Sequence, residues 1–467
     1  MSEIADKFAK LQSSRQRLRN SSAEERADKL KAIWAGIVER KDDIFAAGHK
    51  ERGTHDLDIA AELVMIKGEI DFAVKNVGKW MKPERIKNSL NTMGKRCEIR
   101  RQSKGVVLNL SAYNAPTAEC IVPVIPAIAA GNAVAIRPSE HAPHSAQIVQ
   151  EIINKALPTD EAEVFQGEVE VAQELLSLPF NHIYYTGGMG VGRIVMKAAA
   201  DHFASITLEM GGKSPVIVDE TANLENAATK LAWGRVMNAG QVCIGPEYVI
   251  VHESKKAAFL TLIEAKINAL YNADGTGLDK SQYVPRIINE SHTKRIKALV
   301  DDAKKRGATV VCGGGSDIAD RYIEPTVLTD MSEDMEIMKE EVFGPVLSVL
   351  SYESREDVLD IINHRPSPLA LYVYSTDDRA IEYFLTNTSS GSAVVNSNCI
   401  QSGTNPRLPF GGVGSSGMGR IGGYEGFKSM SNERSVVHQP LDRFRDILIM
   451  LPPYSERYNN LIMKGLK

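Results

Sequence analysis

The amino-acid sequence predicts an α/β protein built from two doubly wound parallel-sheet domains. Short apolar runs alternate with helical segments in two successive series along the 467 residues. The first series includes the runs 105–110, 133–136 and 182–186, and the second extends from Pro215 to Asn396. Such runs are typical of buried parallel strands, and their alternation with helices favours sheets that carry helices on both faces. A chain much longer than about 250 residues also tends to divide into domains.

The first eighty residues are predicted to be mostly helical. Ser22 and Glu25 form a capping-box signature, and apolar residues follow them at helical spacing. The helical pattern resumes over Ile59–Trp80. Met1–Asn20 is rich in charge and has no apolar core, so it is predicted to be an amphipathic helix and not a secretory signal.

Strands are predicted from about residue 97 onward. Apolar and polar residues alternate along Cys97–Gln102, which predicts an exposed strand, whereas the mostly apolar run Gly105–Leu110 predicts a buried one. One helix is predicted over Ala118–Ala130, before the buried strand Ala133–Ile136. Because exposed sheet edges are normally covered or paired, the run Cys97–Gln102 is expected to be covered by a second copy of the chain.

Composition and charge exclude several classes of protein. The chain has 55 basic and 59 acidic residues and a net charge of −4, so nucleic acid is not expected as a partner. Its five cysteines are far apart and odd in number, which argues against a disulfide framework and a zinc site and fits a reducing, cytoplasmic compartment. His141 and His144 flank Pro143 and are interpreted as surface histidines, so no metal site is predicted. The apolar stretches Cys120–Ile136 and Phe444–Leu451 are interrupted or short, and no membrane span is expected.

Cys243 is the most informative residue for chemistry. It follows Glu209 by about thirty residues, and both lie in glycine-containing motifs. A thiolate can form a covalent acyl intermediate, and a carboxylate can activate the water that releases the acyl group. An isolated intracellular cysteine is usually a small buried core residue, so the interpretation of Cys243 as a nucleophile depends on the other motifs.

Two segments suggest a site for a dinucleotide. Thr186–Arg193 follows a strand and precedes a helix, whose amino end can bind a pyrophosphate, although a tight connection would give the same pattern. Gly412–Gly417 matches GxGxxG but lacks the strand and helix that the motif requires. Arg137 and Glu140 lie just past the carboxyl end of a strand, where doubly wound sheets bind their ligands.

Seven ordered motifs resemble those of the NAD(P)-dependent aldehyde dehydrogenases, especially the class 3 branch that oxidises fatty and aromatic aldehydes. The motifs span nearly the whole chain, at residues 113–114, 129–140, 185–192, 208–215, 240–248, 340–346 and 408–420. The resemblance implies a dinucleotide-binding domain, a catalytic domain and a small β extension that joins two subunits in a homodimer. The expected bounds are 1–87 with 105–209 for the dinucleotide-binding domain, 210–400 for the catalytic domain, 88–104 with 436–467 for the extension, and 401–435 for a return segment.

The resemblance also implies roles for individual residues. Cys243 is expected to be the nucleophile and Glu209 the general base, while the side-chain amide of Asn114 and the backbone amide of Cys243 bind the oxyanion. The cofactor is expected to be NAD, with NADP also usable. The expected cofactor residues are Glu341 and Phe343 at the nicotinamide ribose and ring, Arg137 and Glu140 at the adenosine ribose, and Gly187, Gly188 and Gly192 at the pyrophosphate.

The resemblance leaves the substrate and two alternative functions open. Trp80, Tyr113 and Asn238 are candidates for the aldehyde tunnel, but each fits core or hinge packing equally well. An acylating dehydrogenase would pass the thioester to coenzyme A, and the hydrolytic base Glu209 disfavours that reading. A family member that has lost its activity and acts as a binding or structural protein would tolerate the loss of Cys243, Glu209 or Asn114. All three residues are present here.

Overall fold

A computed structural model describes residues 2–89, 92–401, 405–441 and 452–466. Parts of the predicted extension and return segment therefore lie outside the described residues, as do Met1 and the whole apolar run Phe444–Leu451. Within the described ranges, no helix combines the length and the apolar character that crossing a bilayer requires.

The helices alternate with strands through most of the described chain. The helices are α1 (Glu3–Arg19), α2 (Ala23–Glu39), α3 (Lys41–Arg52), α4 (Asp56–Trp80), α5 (Pro116–Ile121), α6 (Val124–Ala129), α7 (Pro143–Ala156), α8 (Val169–Leu176), α9 (Met189–Asp201), α10 (Leu224–Val236), α11 (Glu253–Tyr271), α12 (Glu290–Lys305), α13 (Glu336–Lys339), α14 (Arg355–Asn363), α15 (Asp378–Asn387), α16 (Gly423–Ser429) and α17 (Glu456–Gly465). The strands are β1 (Glu84–Ile86), β2 (Arg96–Ser103), β3 (Val106–Leu110), β4 (Ala133–Arg137), β5 (Ala162–Val164), β6 (His182–Thr186), β7 (Ser205–Glu209), β8 (Pro215–Val218), β9 (Tyr248–His252), β10 (Thr309–Cys312), β11 (Ser316–Asp317), β12 (Tyr322–Ile323), β13 (Thr326–Thr329), β14 (Val346–Tyr352), β15 (Ala370–Tyr374), β16 (Ser392–Val395), β17 (Gly417–Met418) and β18 (Ser431–His438).

The first large sheet has the strand order β17-β7-β6-β3-β4-β5. Its strands are parallel except β17, which pairs antiparallel with β7. Successive residues of β3 enter different cores: Val107 packs with apolar residues of α2, α4 and α7, whereas Val106 and Leu108 pack with residues of α1 and α9. Helices thus cover both faces, which confirms the predicted doubly wound arrangement.

The second large sheet has the order β10-β13-β14-β9-β8-β15-β16 and is parallel except at β10. On one face, Val249 packs with Phe259 and Ile263 of α11. On the other, Ile250 packs with Val358 of α14 and Phe384 of α15. The second predicted α/β series therefore forms a second doubly wound sheet.

A small third sheet has the order β1-β2-β18. The strand predicted at Cys97–Gln102 lies within β2, which pairs with β1 on one side and with β18 on the other. The expectation that this run is an exposed edge is therefore wrong, because the distant segment Ser431–His438 covers it within the same chain. The edges of this sheet belong to β1 and β18.

Two local predictions have different outcomes. Ser22 caps α2, and its side chain and that of Glu25 form the predicted capping box. The single helix predicted over Ala118–Ala130 is instead the pair α5 and α6. The break falls at Pro123, because proline has no amide hydrogen and its ring disfavours a continuous helix.

Candidate active site

Cys243 follows a short 3-10 turn, Met237–Gly240, at the end of α10. Inside this turn Asn238 and Ala239 have φ angles of 51° and 52°, in the left-handed region that non-glycine residues rarely adopt. Such conformations persist only where the surrounding structure holds them. The turn before Cys243 is therefore a strained segment whose hydrogen bonds decide where the thiol lies.

Two amide side chains supply those hydrogen bonds. The Asn238 amide donates to the backbone carbonyl of Asn114 at 2.8 Å and to that of Gln241 at 3.1 Å. The buried Gln241 amide donates to the carbonyls of Asn238 and Arg286, and its oxygen accepts from the amide of Ile288 at 2.9 Å. The loop that carries Cys243 is thus fixed directly to the turn that carries Asn114.

Asn114 lies in the turn between β3 and α5, at the carboxyl end of a central parallel strand. It is buried, with 8% of its surface exposed. Ligands of doubly wound sheets bind at this edge of the sheet. Through the Asn238 side chain, the structure therefore joins the turn of the predicted oxyanion residue to the loop of the predicted nucleophile.

Glu209 is the last residue of β7 and is buried. Among the described residues, neither of its carboxyl oxygens has a hydrogen-bond partner. Burial raises the pKa of Glu209 well above its usual range, the carboxylate of Glu119 raises it further, and Arg420 opposes both effects. A raised pKa makes the carboxylate a stronger proton acceptor, as a general base requires.

The Cys243 thiol is half-buried and has an acidic environment. Burial raises the pKa of Cys243 well above its usual range, and the carboxylates of Glu119, Glu341 and Glu209 raise it further. The neutral thiol is therefore the favoured form.

Glu119 is a site residue that the sequence interpretation missed. It lies on α5, and the side chains of Asn109 and Ser111 donate to its backbone carbonyl at 3.0 and 3.1 Å. Burial raises the pKa of Glu119 to about 7, and the Thr186 hydroxyl acts in the opposite direction. The available signal was a lone carboxylate in the otherwise apolar run Ala118–Ala130, since a buried charge needs a specific reason.

Glu247 is a second missed residue, and it fixes the loop that carries Glu341 and Phe343. Its carboxylate accepts from Lys213 at 3.1 Å and from Arg235 at 2.8 Å, all three side chains being buried. It also accepts from the backbone amide of Phe343 at 3.4 Å and from that of the preceding residue at 3.0 Å. Lys213 and Glu247 both lie inside motifs of the family resemblance, which was the signal that could have identified them.

Glu341 and Phe343 lie beside other site segments. A Cβ built on Gly211 would stand 2.1 Å from Glu341 Oε1, so the carboxyl packs against that glycine's backbone. Burial raises the pKa of Glu341 to about 8, Glu247 raises it further, and the amide of Gly212 opposes this. The Phe343 ring meets the Tyr113 ring edge-on, with 6.0 Å between centroids.

Arg137 and Glu140 form an ion pair at the carboxyl end of β4. Arg137 donates to Glu140 at 2.7 Å and to the Gly167 carbonyl at 3.0 Å, and it is 7% exposed. Burial tends to raise the pKa of Glu140, but the hydrogen bond and charge of Arg137, the backbone amide of Glu140 and the charge of His141 together outweigh it and hold the pKa below its usual range. Glu140 is therefore an anion near neutral pH, and the guanidinium is already engaged.

The glycine-rich turn before α9 fits a pyrophosphate. Gly188 is the N-cap of α9 and supplies no side-chain cap, and a Cβ placed on it would meet nothing within 4 Å. Uncapped amides beside open space form an anion site. A Cβ on Gly192 would stand 2.4 Å from the sulfur of Met210, so Gly192 allows the helix to pack closely on the sheet. Gly187 donates its amide to the Glu209 carbonyl at 3.0 Å and joins this turn to the base.

Three other sequence interpretations can be compared with the structure. Gly412–Gly417 leads into β17, which pairs antiparallel with β7 beside Glu209, so the segment is not part of a βαβ unit. Trp80 packs against Phe72, Tyr424 and Phe427 and belongs to the core.

The third interpretation was that His141 and His144 are surface histidines. Both residues are exposed. No cluster of three or more potential metal ligands occurs within the described ranges.

A surface cavity of about 240 Å³ lies where the turn before Cys243 begins. Met237 and Trp233, from the end of α10, line it together with Asp58 and Tyr271. Its remaining lining residues are His55, Leu57, Leu270 and Tyr283. The lining of the cavity is of mixed aromatic and acidic character.

Comparisons with known proteins give a consistent result. The aldehyde dehydrogenase family profile matches residues 2–436. The chain is 39% identical over 424 residues to the putative aldehyde dehydrogenase AldX of Bacillus subtilis, covering 90% of this chain and 94% of the relative. It is also 39% identical over 432 residues to aldehyde dehydrogenase family 3 member A2 of Macaca fascicularis, covering 92% and 87%.

Solved structures agree with these relatives. The substrate-bound state of Staphylococcus aureus AldH has a TM-score of 0.94 at 34% identity and covers 100% of both chains. A Mycobacterium tuberculosis aldehyde dehydrogenase complexed with NAD⁺ has a TM-score of 0.84 at 27% identity, covering 93% of this chain and 90% of the other. The glyceraldehyde-3-phosphate dehydrogenase GapN of Methanocaldococcus jannaschii, complexed with NADP, has a TM-score of 0.80 at 25% identity, covering 93% and 94%.

Proposed function

Because the chain belongs to the aldehyde dehydrogenase family and is thus an NAD(P)-dependent oxidoreductase of aldehydes, we propose that it forms a covalent intermediate on Cys243 that Glu209 helps to hydrolyse. The observation that supports this most strongly is the joining of the Cys243 loop to the Asn114 turn through Asn238. The buried carboxyl of Glu209, without a hydrogen-bond partner among the described residues, supports the second half of the proposal.

In the first chemical step the Cys243 thiol gives its proton to water, and the resulting thiolate attacks the aldehyde carbon. A carbon–sulfur bond forms, and the carbonyl electron pair moves to oxygen. The side-chain amide of Asn114 and the backbone amide of Cys243 donate to that oxygen, and such preorganised donors are each worth about 3 kcal/mol of barrier. Collapse of the alkoxide then releases the aldehyde hydrogen as hydride, which the oxidised nicotinamide accepts when bound.

The second step is hydrolysis of the thioester on Cys243. Glu209 removes a proton from water as the water oxygen attacks the acyl carbon, and the carbon–sulfur bond breaks. The raised pKa of Glu209 suits this proton transfer. Coenzyme A would need no such base, so the acylating alternative is not favoured.

The cofactor is held at both ends of the site in this proposal. The uncapped turn at Gly188 binds the pyrophosphate, Glu140 accepts from the adenosine ribose, and Glu341 and Phe343 hold the nicotinamide ribose and ring. NAD is the better cofactor, because a carboxylate at the ribose repels a 2′-phosphate. NADP is usable, because Arg137 lies 2.7 Å from that carboxylate and partly neutralises it.

We also propose a cytoplasmic homodimer. The reason differs from the sequence argument, because among the described strands the edges of the three-stranded sheet are β1 and β18, and β2 is not an edge. Val437 of β18 is 55% exposed, and an unpaired strand edge offers backbone groups to a second chain. Light scattering at micromolar concentration tests this, and a monomer mass would contradict it.

Oxidation of a panel of aldehydes, followed by absorbance of the reduced nicotinamide, tests the proposed function. Fatty and aromatic aldehydes are assayed with NAD and with NADP, each with and without coenzyme A. We expect turnover with NAD that coenzyme A does not accelerate and a carboxylic acid as product. Turnover that requires coenzyme A, or an acyl-coenzyme A product, would contradict hydrolysis by Glu209.

A further inference from the structure

One face of α12 joins two segments of the proposed site. Asn289 caps this helix, and its side-chain oxygen accepts from the backbone amide of His292 at 2.9 Å. His292 and Arg295 are three positions apart, so their side chains lie on the same face of the helix. The first side chain reaches the residue before Asn114, and the second reaches the loop that carries Phe343.

His292 contacts Tyr113, which directly precedes the predicted oxyanion donor. The Tyr113 hydroxyl and the Nδ1 atom of His292 form a hydrogen bond of 2.9 Å, and the two rings meet edge-on with 5.4 Å between centroids. Burial, together with the charges of Arg295 and His141, lowers the pKa of His292 to about 4. The imidazole is therefore neutral near neutral pH, and it bonds the hydroxyl without bringing a charge to the site.

Arg295 bonds the backbone of the loop that carries Glu341 and Phe343. Its guanidinium donates to the carbonyl of Glu341 at 3.3 Å and to that of Val342 at 2.6 Å. The next residue, Phe343, has a φ of 49°, in the left-handed region that a bulky side chain rarely adopts. Such a conformation persists only where neighbouring groups hold it. Arg295 supplies two of those contacts.

The two segments also meet directly. The Phe343 ring contacts the Tyr113 ring edge-on, with 6.0 Å between centroids. His141, the residue after Glu140, contacts the rings of Tyr113 and His292 at centroid distances of 5.7 and 5.8 Å. Tyr113 is therefore packed between α12 and the loop of Phe343, and its position depends on both.

The spacing of these two segments matters for hydride transfer. In the proposed function the oxyanion forms beside Asn114, and the same carbon gives up its hydrogen toward the loop of Glu341 and Phe343. A displacement of about 1 Å in such an arrangement can lower the rate by about 100-fold. A bond that fixes the residue before Asn114 against α12 is therefore in a position to control this step.

We propose that His292 is a positioning residue for hydride transfer, which acts through Tyr113 to hold the oxyanion turn against the loop of Phe343; this inference rests on the proposed function. In that step the carbon–hydrogen bond breaks, the hydrogen leaves with both electrons for the oxidised nicotinamide, and the carbonyl of the thioester forms. His292 exchanges no proton and no electron with the reacting atoms.

A packing role for His292 makes a different prediction from a positioning role. Any side chain of similar volume would satisfy packing, whereas positioning needs a polar atom within reach of the Tyr113 hydroxyl. His292→Leu removes that atom, His292→Asn keeps a donor and an acceptor near the place of Nδ1, and Tyr113→Phe removes the other partner. His252→Leu is the matched control, because His252 also lies edge-on to a tyrosine, Tyr352, at 5.2 Å, but at the end of β9.

The first measurement is hydrogen–deuterium exchange of the cofactor-free protein, followed by mass spectrometry of the peptides that cover residues 111–115 and 340–344. For His292→Leu and Tyr113→Phe we expect exchange faster by about two- to tenfold in both peptides, the factor that corresponds to one hydrogen bond. His292→Asn and His252→Leu should exchange like the parent.

The second measurement is rapid mixing with aldehyde and saturating NAD. The burst of reduced nicotinamide should be slower by on the order of tenfold in His292→Leu and Tyr113→Phe. Combining both substitutions should slow it no further, because each removes the same bond. A deuterium on the aldehyde carbon should slow these bursts at least as much as it slows that of the parent. The dissociation constant of NAD, measured by titration, should change far less than the burst rate.

A burst and an exchange rate like those of the parent in His292→Leu would overturn the proposal. An equal loss in His292→Asn would also overturn it, because packing alone would then explain the effect. Weaker binding of NAD with an unchanged burst at saturation would assign His292 to cofactor binding instead. A parent enzyme without any aldehyde turnover would contradict the proposed function, and the role in hydride transfer with it, even if the exchange experiment showed the two segments to be joined.

Discussion

The side-chain amide of Asn238 donates a hydrogen bond to the backbone carbonyl of Asn114 at 2.8 Å. The two residues are 124 positions apart, on the first and second halves of the chain. This bond ties the loop of the predicted nucleophile to the turn of the predicted oxyanion donor. It is held by a residue in the left-handed conformation, with a φ of 51°.

Replacing Asn238 tests whether this bond positions the site. Asn238→Ala should destabilise the protein by about 1–3 kcal/mol, since a buried carbonyl loses its donor, and should lower kcat. Asn238→Gly is the matched control, because glycine tolerates the left-handed backbone but also lacks the amide. We expect thermal unfolding to show partial recovery of stability in Asn238→Gly while kcat stays low. Full recovery of kcat in Asn238→Gly would show that only backbone strain mattered.

The acidic surroundings of Cys243 predict slow alkylation in the cofactor-free protein. Because burial and three carboxylates raise the pKa of Cys243, the thiolate fraction should be small at neutral pH and should increase with pH. Glu209→Gln removes one of those carboxylates, lowers the thiol pKa and should accelerate alkylation, measured by mass spectrometry of the Cys243 peptide. The control Glu69→Gln, which alters a buried carboxyl that bonds the amide of Gly423, should leave the rate unchanged. Faster alkylation of the parent than of Glu209→Gln would contradict this electrostatic account.

The ion pair of Arg137 and Glu140 predicts the cofactor preference. Glu140→Gln removes the charge that repels a 2′-phosphate and releases the guanidinium from its 2.7 Å bond. The ratio of kcat/KM values should shift toward NADP by about tenfold, which corresponds to about 1.4 kcal/mol. An unchanged ratio would show that Glu140 does not face the adenosine ribose.

The buried carboxylate of Glu247 predicts a loss of stability in acid. Burial alone would raise its pKa, but Arg235 and Lys213 outweigh burial and hold the pKa below its usual value. A lowered folded-state pKa means that the stabilisation is present above the unfolded value and is lost as the pH falls through the folded value. Acid unfolding of the parent should therefore begin below the ordinary glutamate pKa of 4.5.

Glu247→Gln should lower the free energy of unfolding by about 3–5 kcal/mol at neutral pH, because Lys213 and Arg235, both buried, lose the carboxylate with which each forms its ion pair among the described residues. Urea unfolding at pH 7 and in acid gives the free energy of unfolding of the variant and of the parent. The difference between these two free energies should decrease in acid. A difference that did not change with pH would contradict the ion-pair assignment.

The sequence predicted the two sheets well because buried parallel strands leave short apolar runs, such as His182–Thr186, which β6 reproduces. It failed where distant segments meet. Apolar and polar residues alternate along Cys97–Gln102 as they do in an exposed edge strand, but Ser431–His438 pairs with this strand. A local sequence pattern cannot identify a partner strand more than 300 residues away. Pro123 was visible as a helix breaker, yet the apolar spacing around it favoured one helix.

In the candidate site, too, local motifs were predicted and contacts between distant segments were not. Motifs drew attention to Cys243, Glu209 and Asn114, and the structure brings the surrounding loops together. They did not reveal Glu119, a carboxylate on α5 that raises the pKa values of Glu209 and Cys243. Side-chain environment depends on tertiary packing, and spacing along the chain does not encode it.

The most direct test of the covalent mechanism is rapid mixing of Glu209→Gln with aldehyde and NAD. The substitution keeps the shape of the side chain but removes the base, so hydride transfer should give a burst of reduced nicotinamide close to one per active site. A slow steady phase should follow, with an acyl group on Cys243 that mass spectrometry detects, while Cys243→Ala should give neither burst nor adduct. A Glu209→Gln protein with no burst and no acyl group, or with the steady rate of the parent, would contradict hydrolysis of a Cys243 thioester by Glu209.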